Sequence, residues 1–171
     1  MFNLPNGITL IRILLVPVFL MVFWSPKPNH ITSGMLVLAA AGITDILDGY
    51  LARKLNMITP VGKILDPAAD KLMLITVMSS LYLVGKIPLW LVVLVILKEA
   101  FLVLGGLVLI IWQKTGLCAS FYGKAATISV YAALFSGAFE VSGSTIFAAL
   151  AGLVSILALT EYINIFIRRF F

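Results

Sequence analysis

Charged residues are scarce in this chain. Asp, Glu, Lys and Arg make up only 11% of its 171 residues, whereas 62% are hydrophobic and the mean hydropathy is +1.15. Because soluble domains carry about 25% charged residues, an ordinary soluble fold is excluded. Linkers rich in Pro, Gly and Ser, low-complexity runs and internal repeats are also lacking. We therefore predict one domain that covers residues 1–171.

Cysteine and histidine are almost absent. Cys118 is the only cysteine, so no internal disulfide can form, and His30 is the only histidine. These counts disfavour a nucleophilic mechanism that depends on a histidine base. They also disfavour a zinc site built on His and Cys. We expect His30, which falls in a predicted loop, to be solvated.

Long apolar runs dominate the sequence instead. Crossing the hydrocarbon layer takes roughly 20 mostly apolar residues per helix. Six such runs occur here, separated by breaks that contain turn-forming residues. The pattern predicts an all-α integral membrane protein with six transmembrane helices. The predicted spans are Leu4–Trp24, Ser33–Arg53, Asp66–Val84, Pro88–Trp112, Tyr122–Phe139 and Thr145–Ile167.

Basic residues lie mostly on one side of the predicted bundle, because the other side has only Lys27 and Lys86. The positive-inside rule makes the basic side cytoplasmic, with both termini there, and predicts a multi-pass protein of the cell (inner or plasma) membrane. The net charge of +5 suits anionic head groups and phosphate-bearing ligands rather than nucleic acid. The cytoplasmic side carries Arg53, Lys54, Lys63, Lys71, Lys114, Lys124, Arg168 and Arg169. Aromatic residues expected at the two membrane interfaces are Trp24, Tyr82, Trp90, Trp112, Tyr122 and Tyr162.

Four of the seven acidic residues lie within 26 positions, at Asp45, Asp48, Asp66 and Asp70. Near the centre of a membrane helix a carboxylate costs on the order of 2.5 to 3.5 kcal/mol, so this concentration requires a compensating partner. Asp45 and Asp48 share an arc of about 100° on the second helix, and Asp66 and Asp70, at i and i+4, share a face of the third. A short loop makes these helices antiparallel neighbours. We therefore place the active site at the cytoplasmic ends of helices 2 and 3.

Carboxylates without nearby His or Cys suit Mg²⁺ or Mn²⁺, as one ion or a pair, with positions left open for substrate phosphates. Gly49 and Ala52, on the same face as the acids of the second helix, leave room for a large ligand. Arg53 can meet a phosphate with paired donors. Arg12 of the first helix can lean toward the acids or extend to the head groups.

A structural interpretation stays open for part of this set. Asp66-Pro67 is typical of a helix N-cap followed by proline, and Asp48-Gly49 is typical of a turn. Capping does not explain Asp45 or Asp70, so the metal site remains the preferred interpretation of the four acids together.

The acidic residues belong to a longer pattern that matches the signature of the CDP-alcohol phosphatidyltransferase family at all eight fixed positions. If each position matched by chance at roughly one in twenty, the whole pattern would occur on the order of once in 10^10 starting points. The resemblance implies transfer of a phosphatidyl group from CDP-diacylglycerol to an alcohol, with release of CMP. The pattern reads Asp45-x2-Asp48-Gly49-x2-Ala52-Arg53-x8-Gly62-x3-Asp66-x3-Asp70.

Individual roles follow from this resemblance. The four aspartates would hold one or two divalent metals on the pyrophosphate of the donor, and Asp70 would be the general base for the acceptor hydroxyl. The resemblance also implies a homodimer. The residues that match positions shaping the CDP-lipid site are Asp48, Gly49, Ala52, Arg53 and Gly62.

The acceptor is indicated by weaker features. The opening segment Asn3–Arg12 resembles bacterial members of the family that use glycerol 3-phosphate. Lys98-Glu99 and the segment Tyr122–Thr127 also resemble those members, but with Lys for Arg in the first and one Lys missing in the second. An acceptor that carries its own phosphate needs fixed cations. The candidates are Lys63, Lys71, Lys98 and Lys124.

Other readings of the same residues stay open. Within the family, the acceptor alternatives are phosphatidylglycerol, as in a cardiolipin synthase, inositol phosphate and serine. The alternative from another class is a cation transporter. The acids lie near one interface rather than at the midplane, and their helix is not broken in mid-span, so the transferase is preferred. Lys98 and Glu99 could also form a structural pair with another helix, and Lys124 could be a plain anchor at the cytoplasmic interface.

Overall fold

Six helices follow one another along the described part of the chain. The structure is a computed structural model that describes the backbone of residues 4–54, 62–111 and 121–170, and the side chains of residues 11–44, 68–109, 111 and 121–168. Within these ranges all regular structure is α-helical and no strand occurs. The all-α fold class is therefore confirmed. The helices are α1 (Leu4–Phe23), α2 (His30–Lys54), α3 (Gly62–Leu83), α4 (Leu89–Ile111), α5 (Phe121–Ala138) and α6 (Ser144–Phe170).

The largest difference from the predicted starts is at α3, which begins at Gly62, four residues before the predicted Asp66. The other five helices start within three residues of the prediction. Asp66-Pro67 has the chemistry of a helix start, and the prediction began there. The helix begins earlier and includes the apolar residues Ile64 and Leu65.

Among the residues that the structure describes, two helices are long and apolar enough to cross a membrane, over Leu89–Leu109 and Ser144–Arg168. Two shorter apolar stretches, Ile11–Phe23 and His30–Thr44, also occur among the described residues. Large apolar side chains are exposed along all of these helices, as a lipid-facing surface requires. These features indicate a membrane protein, and the number of spans stays a prediction.

The chain divides into two compact units, Met1–Ser80 and Leu81–Phe171. In the first, α1 packs on α2 at Gly34, where an added Cβ would lie 2.8 Å from Cδ2 of Phe23. Nδ1 of His30 lies 2.5 Å from the carbonyl oxygen of Phe23, and the two rings meet edge to face. The expectation of a solvated loop histidine is therefore wrong. His30 is the half-buried first residue of α2 and joins it to the end of α1.

In the second unit, α6 packs against both α4 and α5. The α4 contact is closest at Gly152, where an added Cβ would lie 2.6 Å from the ring of Trp90. Tyr162 is only 2% exposed and packs in a cluster with Ala126 and Ala158. Tyr162 therefore lies on the face of α6 that packs inside the protein and does not face the lipid, while its depth near the inner interface stays a prediction.

The turns after α3 and α5 have the same backbone form. In each, an amide donates to the carbonyl five residues earlier at 2.9 Å, from Lys86 in the first turn and Val141 in the second. This form needs a left-handed residue, which is Gly85 (φ 73°) after α3 but Glu140 (φ 51°) after α5. The side chains of Lys86 and Glu140 form an ion pair, so the two turns are joined. Gly137 allows the two turns to lie this close, since an added Cβ would lie 2.7 Å from the Lys86 carbonyl oxygen.

Candidate active site

The four aspartates lie on two consecutive helices of the Met1–Ser80 unit. Asp45 and Asp48 are in the last three turns of α2, and Asp66 and Asp70 are in the first three turns of α3. All four positions are helical, as the prediction of each pair on one helix face requires. The side chains of Asp45, Asp48 and Asp66 lie outside the described residues, so their convergence on a metal stays a prediction.

The capping alternative for Asp66 is wrong, because α3 begins at Gly62 and Asp66 is its fifth residue. An N-cap residue stands before the first helical residue, where the backbone amides lack partners within the helix. The turn alternative for Asp48-Gly49 is also wrong, because both residues are inside α2. Asp66 therefore does not cap a helix, and Asp48 is not part of a turn.

Asp70 is bound by an arginine from the first helix. Nη1 of Arg12 donates to Oδ1 of Asp70 at 2.8 Å across 58 positions of sequence. The Arg12 side chain is 2% exposed and that of Asp70 is 41% exposed. The guanidinium therefore fixes the carboxylate from the protein side while the acid stays accessible to a ligand. Of the two readings of Arg12, the one that turns it toward the acids is confirmed for Asp70.

The residues predicted to shape the CDP-lipid site are placed only by their backbone. Gly49, Ala52 and Arg53 are in the last part of α2, on the same helix as Asp48, and Gly62 is the first residue of α3. Their side-chain surroundings lie outside the described residues, and the assignment stays a prediction.

The lysines predicted for an acceptor phosphate have different surroundings. Nζ of Lys98 lies 2.6 Å from Oε1 of Glu99, with only 3% and 6% of the two side chains exposed. Within the described residues, the charge of Lys98 is thus met by its neighbour in sequence. Lys124 is exposed in the first turn of α5, and Lys71 is half-buried next to Asp70. The side chain of Lys63 lies outside the described residues.

A pocket that the sequence did not indicate, lined by both polar and apolar side chains, lies between the start of α5 and the last turns of α6. It has a volume of about 380 Å³ and includes Glu161, whose Oε2 is buried. The rule that singled out the aspartates, an acid in an apolar helix, would also have pointed to Glu161. The pocket-lining residues are Tyr122, Leu157, Thr160, Glu161, Asn164, Ile165 and Arg168.

The sequence profile of CDP-alcohol phosphatidyltransferases matches residues 2–161. The chain belongs to this family. The matched segment contains all four aspartates, Arg12 and the lysine candidates. Members of the family generally depend on a divalent cation. Carboxylates suit such a hard cation, and the four aspartates as its ligands stay a prediction.

Several curated relatives resemble parts of the chain. The CDP-diacylglycerol–glycerol-3-phosphate 3-phosphatidyltransferase of Bacillus subtilis is 40% identical over 111 residues, which cover 58% of each chain. The protein of the same name from Pseudomonas fluorescens is 51% identical over 71 residues, 42% of this chain and 36% of that protein. A cardiolipin synthase (CMP-forming) of Streptomyces coelicolor is 36% identical over 135 residues, 75% of this chain and 61% of that protein. The chain spans about half the length of the curated relatives it matches.

Proposed function

We propose that this protein transfers the phosphatidyl group of CDP-diacylglycerol to glycerol 3-phosphate, giving phosphatidylglycerophosphate and CMP in phospholipid biosynthesis. The observation that carries the proposal is the eight-residue pattern on α2 and α3, within the segment that matches the family. The relatives from Bacillus subtilis and Pseudomonas fluorescens support glycerol 3-phosphate as the acceptor.

In this proposal, Asp45, Asp48, Asp66 and Asp70 hold one or two Mg²⁺ or Mn²⁺ ions. When bound, the metal supplies positive charge to the pyrophosphate and to the departing CMP. The donor lies against Asp48, Gly49, Ala52, Arg53 and Gly62, where the small residues leave space and the arginine meets a phosphate.

Asp70 takes the proton of the acceptor hydroxyl. The hydroxyl oxygen then forms a bond to the phosphorus that carries the diacylglycerol, and the bond from that phosphorus to CMP breaks. Arg12 acts through Asp70, because its 2.8 Å bond to Oδ1 fixes the direction of the carboxylate. The phosphate of the acceptor is bound by lysines from the set Lys63, Lys71, Lys98 and Lys124.

The proposed enzyme is a single domain over residues 1–171 that spans the cell (inner or plasma) membrane six times as a homodimer. Both termini and the active site face the cytoplasm. The end of α2 and the start of α3 lie on the side that the basic residues assign to the cytoplasm. Glycerol 3-phosphate and CMP are charged and water-soluble, so a site at this interface lets both exchange with water.

A cardiolipin synthase activity, with phosphatidylglycerol as the acceptor, is the second candidate. It is favoured by the relative from Streptomyces coelicolor, whose match covers 75% of this chain. Its donor site and its chemistry would be the same. Inositol phosphate and serine are further acceptors that the shared donor site allows. A cation transporter is disfavoured because the chain belongs to a family of transferases.

The test is CMP release by the full chain, purified in detergent, from CDP-diacylglycerol and Mg²⁺. Glycerol 3-phosphate, phosphatidylglycerol, inositol phosphate and serine are supplied in parallel. We expect release with glycerol 3-phosphate alone. Release only with another alcohol overturns the acceptor. Folded protein that releases CMP with none of them overturns the transferase, and metal flux in liposomes would then favour the transporter.

A further inference from the structure

The pocket between the start of α5 and the last turns of α6 lies at the end of an exposed apolar face of α6. Four large side chains of this face are between 44% and 64% exposed and recur at spacings of three and four residues. Beyond them along the helix, the pocket contains first Glu161 and last Arg168. The order on α6 is therefore an apolar surface, then a carboxylate, then a guanidinium. The apolar members are Ile146, Leu150, Leu153 and Leu157.

The carboxylate in this pocket has an oxygen that the described part of the chain leaves unsatisfied. Oε2 of Glu161 is buried and has no hydrogen-bond partner among those residues. The hydroxyl of Thr160 is not available as a donor, because it donates to the carbonyl oxygen of Leu157 at 2.9 Å. An ionised carboxylate only accepts hydrogen bonds, and leaving one unmade is costly. Glu161 therefore requires a ligand that carries an N–H or O–H group.

Hydrogen-bond donors for a phosphate line the same pocket. Arg168 lies seven residues after Glu161 on the same face of α6, roughly 10 Å further along the helix axis. Helical side chains lean toward the start of their helix, so the guanidinium can reach back over the pocket. A guanidinium binds phosphate oxygens with paired donors, and Tyr122 adds a phenol O–H from the first turn of α5.

The order of these groups selects the kind of lipid that fits. The ligand needs an apolar chain, then an N–H or O–H donor, then a phosphate. A phospholipid with two acyl chains does not meet this requirement, because both glycerol hydroxyls between its chains and its phosphate are esterified. A lipid with one acyl chain keeps one of these hydroxyls free. Its hydroxyl and phosphate, with a hydrogen bond of about 2.8 Å at each end, span roughly 10 Å, which covers the axial separation of Glu161 and Arg168.

We infer that the pocket binds lysophosphatidic acid, which is glycerol 3-phosphate with one acyl chain. The chain lies along the exposed apolar face of α6, the free hydroxyl donates to Oε2 of Glu161, and the phosphate accepts hydrogen bonds from Arg168 and Tyr122. The inference rests on the membrane placement of α6 given in the proposed function, in which this order runs from the hydrocarbon layer to water. It adds a site for a monoacyl lipid on α6 to the donor site assigned to α2 and α3.

The experiment measures which lipids stay bound to the full chain in detergent by native mass spectrometry. Oleoyl lysophosphatidic acid, its methyl ether and dioleoyl phosphatidic acid are added in equal amounts. The ether keeps the chain and the phosphate, and a methyl group replaces the proton of its free hydroxyl. We expect lysophosphatidic acid to be retained at least about tenfold better than the ether, the value of one charge-assisted hydrogen bond. Phosphatidic acid also lacks the hydroxyl and should be retained no better than the ether.

Two substitutions separate the hydroxyl from the phosphate. Glu161→Leu removes the acceptor and roughly keeps the size of the side chain, so the preference over the ether should disappear. Arg168→Gln should weaken lysophosphatidic acid and its ether alike by about tenfold, because they share the phosphate. Arg168 is exposed, so this variant keeps the test valid even where Glu161→Leu destabilises the fold. Glu140→Gln removes the same negative charge at the opposite end of α5 and should keep the preference.

Equal retention of lysophosphatidic acid and its ether overturns the inference, and so does a Glu161→Leu variant that keeps the preference. Unchanged binding by Arg168→Gln or stronger retention of phosphatidic acid also overturns it. Displacement of the lipid by free glycerol 3-phosphate would do the same, since the pocket would then bind a soluble phosphate ester. CMP release is measured on the same samples. Absence of that activity with the lipid preference intact overturns only the proposed function.

Discussion

Two ion pairs of this protein have similar partners and different surroundings. Arg12–Asp70 joins α1 to α3, with the arginine 2% exposed. Lys86–Glu140 joins the turns after α3 and α5, with the two side chains 21% and 72% exposed. Removing the carboxylate of Asp70 takes a bond from the Arg12 charge, which lies away from water, whereas an exposed ion pair contributes little to stability. We infer that the first pair orients the carboxylate of Asp70, and that the second adds to a contact between two turns that their backbones already make.

The backbone around the two pairs supports this difference. At the exposed pair, the amide bonds of the turns and the close approach at Gly137 already hold the join together. At the Arg12–Asp70 pair, by contrast, the side-chain bond itself links residues 58 positions apart on different helices. Loss of the Arg12–Asp70 salt bridge should therefore lower activity. Loss of the Lys86–Glu140 salt bridge should hardly change the structure of the two turns.

Asp70→Asn gives the largest expected effect. The amide keeps the shape of the side chain but cannot take the proton of the acceptor, so we expect kcat to fall about 100- to 10,000-fold. Binding of CDP-diacylglycerol should persist, as measured by equilibrium binding to the purified protein. Turnover at the level of the unchanged protein would remove Asp70 from the general-base role.

Arg12→Gln should have the second-largest effect. The carboxylate of Asp70 loses the donor that orients it, so we expect kcat to fall about 10- to 100-fold with little change in KM for CDP-diacylglycerol. In the Asp70→Asn background the same substitution should cost almost nothing further, because Arg12 acts through Asp70. Arg12→Lys should recover part of kcat. Additive losses in the double variant would assign Arg12 a separate role.

Gly137→Ala tests the backbone part of the exposed join without changing any charge. The added Cβ would lie 2.7 Å from a backbone oxygen that cannot move alone, so we expect a loss of about 1–3 kcal/mol in the free energy of unfolding. The matched control is Gly106→Ala in α4, where an added Cβ meets nothing within 4 Å. That variant should be unchanged or slightly more stable. Equal stability of the two variants would show that the turns are not closely joined.

The pH dependence of the exposed pair is the smallest expected effect. The hydrogen bond from Lys86 and its charge lower the pKa of Glu140 below the ordinary value of 4.5. A lowered folded-state pKa stabilises the protein above the ordinary value, and this is lost as the pH falls through the lowered pKa.

The measurement is the Tm of the unchanged protein and of Glu140→Gln between about pH 6 and pH 3. The unchanged protein should have the slightly higher Tm at the upper end, and the difference should disappear at the lower end. A Tm difference that is constant over this range would mean that the charge of Glu140 contributes nothing.

Much of the fold could be predicted because its determinants are local. The runs that became α4 and α5 were located to within one residue at each end, since hydropathy and breakers mark the limits of an apolar helix. The errors came from elsewhere. The Asp66-Pro67 pair has the chemistry of a helix start inside α3, and it hid the true start at Gly62. His30 was assigned to a loop because the contact that explains it comes from another helix.

The candidate site was predictable in part for the same reason. Helical spacing alone put Asp45 with Asp48 and Asp66 with Asp70, and the helices contain all four. The partners of the charged groups were less accessible. Lys98 stays a candidate for the acceptor phosphate, but the spacing did not indicate that its Nζ contacts Oε1 of Glu99 in the described structure. Side-chain partners depend on packing, which the spacing of residues along one helix does not report.

The sequence by itself determined the helices, their apolar faces and the spacing of the acidic residues along them. A 3.6-residue period and the length of an apolar run are properties of a single segment. Only the tertiary structure decided that Arg12 meets Asp70, that Tyr162 is buried and that Glu161 opens into a pocket between α5 and α6. Each of these depends on which face of one helix packs against another. That choice is made by the fit of side chains from distant parts of the chain.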